Sequence, residues 1–146
     1  MTRTISIITV LLVATTVGHA LDPIISKAAA AELVRDALAS LGEGHEASKI
    51  PVFAWDYYWA PDFITLQAEI LVPSTGTVAM RYFAVNPWTG DVWEPFGCTR
   101  ITSPTLKRKQ DEIWKSSKLP DEARAVLQAR APACTPAKPE GTEKKK

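Results

Sequence analysis

The sequence has few of the residues on which most catalytic and metal-binding sites depend. Its 146 residues include two cysteines and two histidines, too few for the Cys and His ligand sets that bind transition metals. The Gly-rich motifs that cradle phosphate groups are absent. A net charge of +1 is too balanced for a protein that binds nucleic-acid duplexes. We therefore expect one modest domain with no metal, no cofactor and no nucleic-acid partner.

The one long apolar run has the flanks of a secretory signal peptide. Arg3 supplies a positive charge, Ile5 to Val13 is almost wholly apolar, and Gly18 and Ala20 are small residues at the -3 and -1 positions of a cleavage site. The run is shorter than the roughly 20 residues that a membrane-spanning helix needs. We predict that residues 1–20 are removed and that the mature protein is secreted or periplasmic, without stable membrane insertion.

Both cysteines, Cys98 and Cys134, follow this segment. In an oxidising compartment a lone pair of cysteines usually forms a disulfide. Closing a loop of about 36 residues stabilises a domain by roughly 3–4 kcal/mol in the chain-entropy model. The alternative, a reactive thiol, lacks a nearby histidine and a Cys-x-x-Cys spacing. We predict a Cys98–Cys134 disulfide.

The periodicity of the mature chain predicts an α+β fold. Ser26 can cap a helix over 27–41, where apolar residues recur at helical spacing and Gly42 provides the stop. Extended segments and turns follow, and the segment 63–72 alternates cleanly between apolar and polar residues. The helix is expected to cover an antiparallel meander of three or four strands, drawn from 52–59, 63–72, 77–85 and 91–93.

After Cys98 the period becomes helical again. Ser103 followed by Pro104 opens a helix to about Ser117, and a second short helix runs from about Leu119 to Arg130. The residues 135–146 are polar, end in three lysines and are expected to be disordered. The predicted organisation is a signal peptide, one domain over 21–134 and a charged tail.

The most distinctive motif is a turn within the sequence YFAVNPWTGDVW, residues 82–93. Its characteristic residues are Asn86, Thr89, Gly90 and Asp91. The motif has a mechanical explanation, because Gly90 can adopt a positive φ and Asn86 can bond to the turn backbone. Many unrelated sheets use the same device.

This turn, with the predicted helix and strand pair, resembles a PepSY-type domain. The hallmark of that family is a strand ending in a Tyr/Asp-x-x-Thr-Gly-x-Val hairpin, and Asn86 stands where the family often has Asp. The resemblance covers roughly residues 24–95. It implies a small α+β domain, similar to cystatin-like folds, found in exported proteins and propeptides and proposed to bind or restrain peptidases. It implies no catalytic residues, and the segment from Cys98 to Cys134 lies outside it.

Candidates for catalysis are weak. His45 lies in a Gly-flanked loop, with no nucleophile motif around any serine. Asp56, Asp62 and Glu69 lie in or beside predicted strands and could act as acid and base. Acidic residues at strand ends are far more often solvated than catalytic. We therefore expect a protein that is not an enzyme.

Aromatic residues give the one positive indication of a binding function. Phe53, Trp55, Tyr57 and Trp59 share one face if the 52–59 strand is regular. Trp88 sits at a hairpin tip, where no core is expected to reach. One interpretation is that the strand aromatics fill the interface with the helix. The other is that Trp55, Tyr57, Trp59 and Trp88 form an exposed patch that binds a protein or glycan partner.

Three classes of function follow. The first is an exported, non-enzymatic module of PepSY type that binds an enzyme, possible targets being peptidases. The second is an immunity or inhibitor protein against a cell-wall hydrolase, with key residues on a protruding loop such as 42–50 or 73–76. The third is a carboxylate-dependent hydrolase, which requires a concave pocket. Both binding classes imply another exported protein, a peptidase or cell-wall enzyme, as the partner.

Overall fold

The computed structural model describes residues 22–43, 46–55 and 60–133. Within them a helix, an antiparallel sheet and two further helices confirm the predicted α+β fold. The predicted signal peptide, 1–20, the predicted tail, 135–146, and Cys134 lie outside the described residues. The elements are α1 (Lys27–Ser40), a 3₁₀ turn (Ala47–Lys49), β1 (Val52–Ala54), β2 (Ile64–Val72), β3 (Thr77–Val85), β4 (Val92–Glu94), β5 (Thr99–Ile101), α2 (Pro104–Ser117) and α3 (Asp121–Gln128).

Helix α1 begins where the sequence predicts and packs on one face of the sheet. The Ser26 hydroxyl accepts a hydrogen bond from the Ala29 backbone N–H at 3.2 Å, which satisfies a donor left free at the helix start. Past its end, Gly42 has a φ of 81°, a left-handed conformation that glycine adopts without strain. The helix residues that point into the core are Ala30, Leu33, Val34, Ala37 and Leu38.

The sheet is a meander in the order β1-β2-β3-β4-β5. The alternation predicted for β2 is present. Leu66 and Ala68 lie in the core with α1, while Ile64 and Ile70 pack at its margin. Phe83 of β3 pairs with Leu66 and is buried in the same core. The apolar face of the sheet is therefore covered by α1, and the alternate side chains point to the opposite face.

The β2–β3 hairpin extends beyond its neighbours in the sheet. Both strands have nine residues and pair along their whole length. The register of β1 with β2 ends at Ala68, and that of β4 with β3 covers Ala84 and Val85. Residues 70–80 therefore form a two-stranded projection, which we call the hairpin arm.

The sheet has five strands, rather than the three or four that the sequence predicts. The additional strand, β5, pairs with β4 through Ile101 and Val92, and both side chains are buried in the core. A strand of three residues is too short for its alternation to be recognised in the sequence. The sequence therefore indicates only the change to helical periodicity after Cys98.

The C-terminal helices pack near α1 and against the turn between β3 and β4. The Ser103 hydroxyl accepts a hydrogen bond from the Leu106 N–H at 3.1 Å, and Pro104 stands in the first turn of α2, as predicted. Trp114 of α2 and Leu127 of α3 form a second apolar cluster beside the β3–β4 turn. In the part of the chain that the structure describes, no helix combines the length and apolar composition required to cross a bilayer.

One of the two cysteines lies in the turn between β4 and β5. Cys98 is half-buried, has a φ of 50° and is not a free thiol. Its predicted partner, Cys134, lies outside the described residues. The Cys98–Cys134 pairing therefore stays a prediction.

Candidate protein-binding surface

The turn motif recognised in the sequence lies inside the protein. Asn86 and Thr89 are at most 2% exposed, and Gly90 has a φ of 73°. The Asn86 side-chain oxygen accepts hydrogen bonds from the backbone N–H groups of Trp88 and Thr89 at 3.0 and 3.2 Å. Its nitrogen donates to the Leu127 carbonyl at 2.9 Å. The motif therefore joins the end of β3 to α3.

Asp91, which completes the motif, is a buried carboxylate with polar partners. It accepts a hydrogen bond from the Thr89 hydroxyl at 2.8 Å and forms an ion pair with Arg100 of β5. Burial raises the pKa of Asp91 above its ordinary value of 3.8, and the Thr89 hydrogen bond and the Arg100 charge offset part of this rise. This carboxylate fastens the turn to β5 and does not reach the surface.

The prediction that Trp88 is exposed at the hairpin tip is wrong. Trp88 is 8% exposed and packs with Trp114 and Leu127. The Arg130 guanidinium carbon lies 5.1 Å from the centre of the Trp88 ring. The C-terminal helices cover the turn, and nothing in the local pattern of residues 86–90 indicates where those helices dock. The available signal is indirect: the apolar residues of short amphipathic helices need a surface on which to pack.

The face of the sheet turned away from α1 exposes large apolar side chains. The strand register places Phe53 of β1, Leu71 of β2, and Val78 and Met80 of β3 on this face, and Trp55 follows β1 on the same side. These residues are between 37% and 63% exposed. We call these five residues the open-face patch.

Aromatic contacts hold one margin of the open-face patch in position. The Trp55 and Tyr82 ring centres are 4.5 Å apart, and Tyr82 meets Phe96 edge to face at 5.4 Å. Aromatic pairs of this kind contribute roughly 0.5–1.5 kcal/mol beyond their buried area. Phe96, in the β4–β5 turn, is itself 54% exposed. The rings are thus ordered by one another while parts of them face solvent.

The sequence left open whether the strand aromatics fill the helix interface or form an exposed patch. Phe53 and Trp55 lie on the face away from α1 and are 50% and 37% exposed, so they do not fill that interface. Tyr57 and Trp59 lie outside the described residues.

Sequence reasoning missed Leu71, Val78 and Met80, although one signal was present. The outward positions of β2 are polar at Gln67 and Glu69, and the alternation fails at Leu71. Leu71 pairs with Val78 across the hairpin, and both are exposed. Apolar residues paired on the solvent side of two strands indicate a binding surface.

The other side of the hairpin arm lines a cleft near the end of α1. One cavity of about 620 Å³ is bounded by Glu43, Pro73 and apolar residues of β2. A second, of about 300 Å³, also touches Glu43 and Pro73 and continues to Lys49. We call the two together the loop cleft. The loops predicted as alternative contact sites, 42–50 and 73–76, thus line the same cleft.

The polar rim of the loop cleft carries an incompletely satisfied carboxylate. Glu43 forms an ion pair with Arg81, whose guanidinium also lies 3.5 Å from the Glu94 carboxylate. The Oε2 atom of Glu43 is buried and has no hydrogen-bond partner within the described ranges.

The structure does not bring together the carboxylates considered for acid–base catalysis. Asp62 is exposed just before β2, and Glu69 lies in the second half of that strand. The extended chain separates them by roughly 20 Å, whereas catalytic carboxylate pairs lie about 5–10 Å apart. Asp56 and His45 lie outside the described residues. Across the described ranges, no three His, Cys, Asp or Glu side chains form a group that could hold a metal ion.

Comparisons with known proteins give a fold but no family. No protein-family model matches the chain, and neither does any curated protein. The fold is similar to a chain in the structure of a type VI secretion system effector-immunity complex from Pseudomonas protegens, with a TM-score of 0.54 and 17% sequence identity. The match covers 73% of this chain and 91% of that one. The resemblance to PepSY-type domains stays a prediction.

Proposed function

We propose that the protein is a non-enzymatic inhibitor of the immunity type, which binds a partner enzyme through the open-face patch and the hairpin arm. The observation that carries this proposal is the open-face patch itself, with Phe53, Leu71, Val78 and Met80 each at least half exposed. Leu71, Val78 and Met80 are neighbours on paired strands, and Gln67 and Glu69 separate them from Phe53 and Trp55. Clusters of exposed apolar side chains typically mark binding surfaces, and aromatic anchors supply much of the energy of protein interfaces.

The open-face patch supplies enough binding free energy only if several of its residues are buried together. Fully burying one large apolar side chain contributes roughly 1.5–3 kcal/mol, and these residues are already partly buried. Association costs about 4–15 kcal/mol in lost freedom of motion. Several patch residues must therefore be covered at once, and their fixed positions on paired strands lower the cost of ordering them.

The hairpin arm supplies a shape suited to an enzyme inhibitor. Its strands pair with each other past the ends of their pairing with β1 and β4. A two-stranded projection can enter a concave active site and carry Leu71, Val78 and Met80 with it, while Phe53 and Trp55 pack on the surrounding surface. The loop cleft beside the arm, which the ion pair of Glu43 and Arg81 lines, offers the partner a polar contact.

The structural neighbour supports this choice among the binding classes. It comes from an effector-immunity complex, and the two chains are comparable over most of their lengths. The proposal includes export, as predicted from residues 1–20, and an exported or delivered enzyme as the partner. Peptidases and cell-wall enzymes are the classes of partner that the sequence favours.

Val78 and Val126 provide a matched test. Both are valines that expose more than half of their surface, at 56% and 64%, but Val78 belongs to the open-face patch and Val126 to α3. Partner enzymes are captured from periplasmic and secreted extracts, identified, purified, and assayed with wild type, Val78→Asp and Val126→Asp. We expect wild type and Val126→Asp to inhibit the enzyme equally, and Val78→Asp to inhibit at least tenfold more weakly. A captured enzyme that keeps its activity, or equal inhibition by the two variants, contradicts the proposal.

A further inference from the structure

A separate cavity of about 500 Å³ lies between β5 and the helices α2 and α3. It shares no lining residue with the open-face patch or the loop cleft. Three basic side chains line it: Arg100 of β5, Lys107 of α2 and Arg124 of α3. Three separate elements thus bring positive charge to one concave site.

The basic side chains have donors to spare. Arg100 and Arg124 each use one terminal nitrogen in an ion pair, with Asp91 and Asp111 respectively, while a guanidinium carries five N–H donors. The Nε atom of Arg100 is buried and has no hydrogen-bond partner within the described ranges. The salt bridges found among the described residues do not include Lys107.

The cavity is also preorganised. The Arg124 guanidinium carbon lies 5.6 Å from the centre of the Trp114 ring, so this cation is held by an aromatic face as well as by Asp111. Ser103 caps the 14-residue helix α2 and lines the cavity. The positive end of the α2 dipole therefore borders the site and adds to the attraction for an anion.

The acidic groups near the cavity do not cancel this charge. Asp91 is 0% exposed and lies beside Arg100. Asp111 lines the cavity, and the hydrogen bond from Arg124 lowers its pKa, so it is ionised at neutral pH. Counting the ion-pair partners, three cations face two carboxylates, Asp91 on Arg100 and Asp111 on Arg124, which leaves one net positive charge. The cavity therefore has net positive charge.

We propose that this cavity binds a small ligand bearing an oxyanion, either a phosphate or a carboxylate group. Guanidinium forks match the paired oxygens of both groups, and Lys107 supplies a point charge beside them. A volume of about 500 Å³ is that of a small-molecule site and exceeds the need of a bare ion. The site is independent of the inhibitory surface proposed above.

Lys107 and Arg108 give a matched pair for the test. Both are exposed on α2 and one residue apart, but only Lys107 lines the cavity. Binding of inorganic phosphate and of citrate to the full chain is measured by calorimetry at constant ionic strength in chloride. We expect at least one of the two anions to bind to wild type, and Lys107→Gln to weaken it about tenfold, the loss typical of one charge-assisted hydrogen bond. Arg108→Gln should bind within twofold of wild type.

The comparison of anions identifies the ligand class. Tighter binding of phosphate assigns a phosphorylated ligand, and tighter binding of citrate assigns a carboxylated one. Because Lys107 is exposed, its replacement leaves the core intact, and an unchanged circular dichroism spectrum verifies this. The proposal is overturned if neither anion binds better than chloride, or if Lys107→Gln and Arg108→Gln weaken binding equally.

Discussion

Replacing Gly90 with alanine tests how much the close packing around the β3–β4 turn contributes to the stability of the fold. Gly90 has a φ of 73°, and a Cβ atom there would lie 2.9 Å from Ile113 Cδ1 and 3.2 Å from Leu33 Cδ1. The left-handed conformation costs a residue with a Cβ about 1–2 kcal/mol. Overpacking a filled core costs a further 1–3 kcal/mol or so. We expect Gly90→Ala to lower the free energy of unfolding by about 2–5 kcal/mol.

The variant Gly76→Ala distinguishes the backbone cost of a positive φ from the cost of overpacking. It has a φ of 66° at the tip of the hairpin arm, and a Cβ atom there would meet no atom within 4 Å, so Gly76→Ala carries the backbone cost alone, about 1–2 kcal/mol. Urea unfolding, followed by tryptophan fluorescence, measures both variants, and an unchanged m-value verifies that midpoint shifts report stability. If Gly90→Ala costs no more than Gly76→Ala, the close packing of α1 and α2 on the turn does not contribute to stability as we infer.

Three further predictions concern stability, the first two at this turn and the third at the predicted disulfide. Asn86→Ala leaves the Leu127 carbonyl and two turn N–H groups without their partner, so we expect urea unfolding to show a loss of about 2–4 kcal/mol. Asp91 has a raised pKa in the folded state, so its contribution to stability is fully present below its ordinary pKa of 3.8 and falls as the pH rises through the folded-state pKa, and thermal unfolding should show the advantage of wild type over Asp91→Asn shrinking as the pH rises above 3.8. Reduction of the predicted Cys98–Cys134 disulfide should lower the unfolding free energy by roughly 3–4 kcal/mol.

Each of these has a result that would contradict it. For Asn86, a loss of less than about 1 kcal/mol in Asn86→Ala would refute the role of these hydrogen bonds, because leaving even one buried polar group unsatisfied costs at least that much. For Asp91, a stability advantage of wild type over Asp91→Asn that grows as the pH rises would contradict the prediction. For the cysteines, Cys98→Ser should remove the response to reductant, and a wild type that does not respond has no disulfide.

Periodicity was sufficient to predict the elements that are long enough to show it. The starts of α1 and α2 follow from Ser26 and from Ser103 with Pro104, and both serine hydroxyl groups cap their helices. The alternation of β2 assigned its buried face correctly because Leu66 and Ala68 face a covering helix. Strand β5, with three residues, has no detectable period of its own.

Burial between distant segments was the part that local patterns could not predict. Trp88 is covered by α2 and α3, and the cavity basic residues Arg100, Lys107 and Arg124 meet only in the folded chain. An exposed patch that includes Trp55 was one of two alternatives from the sequence, and the hairpin members of the open-face patch, such as Leu71, appear only once the register of β2 and β3 is known. Contacts of this kind depend on how elements dock, which local propensity does not specify.

The hydrogen bond between Asn86 and Leu127 also bears on how the protein is made. The two residues are 41 positions apart, and synthesis releases the chain from its N-terminus. When β3 first emerges, the Asn86 carboxamide has no partner carbonyl and Trp88 has no covering helix. The sheet and the local hydrogen bonds of its central turn can form during synthesis, but the turn is fully covered only after α3 has been released. Truncation between Ile101 and Leu127 should therefore leave a nascent domain that pairs its strands and still exposes Trp88 to protease and to chaperones.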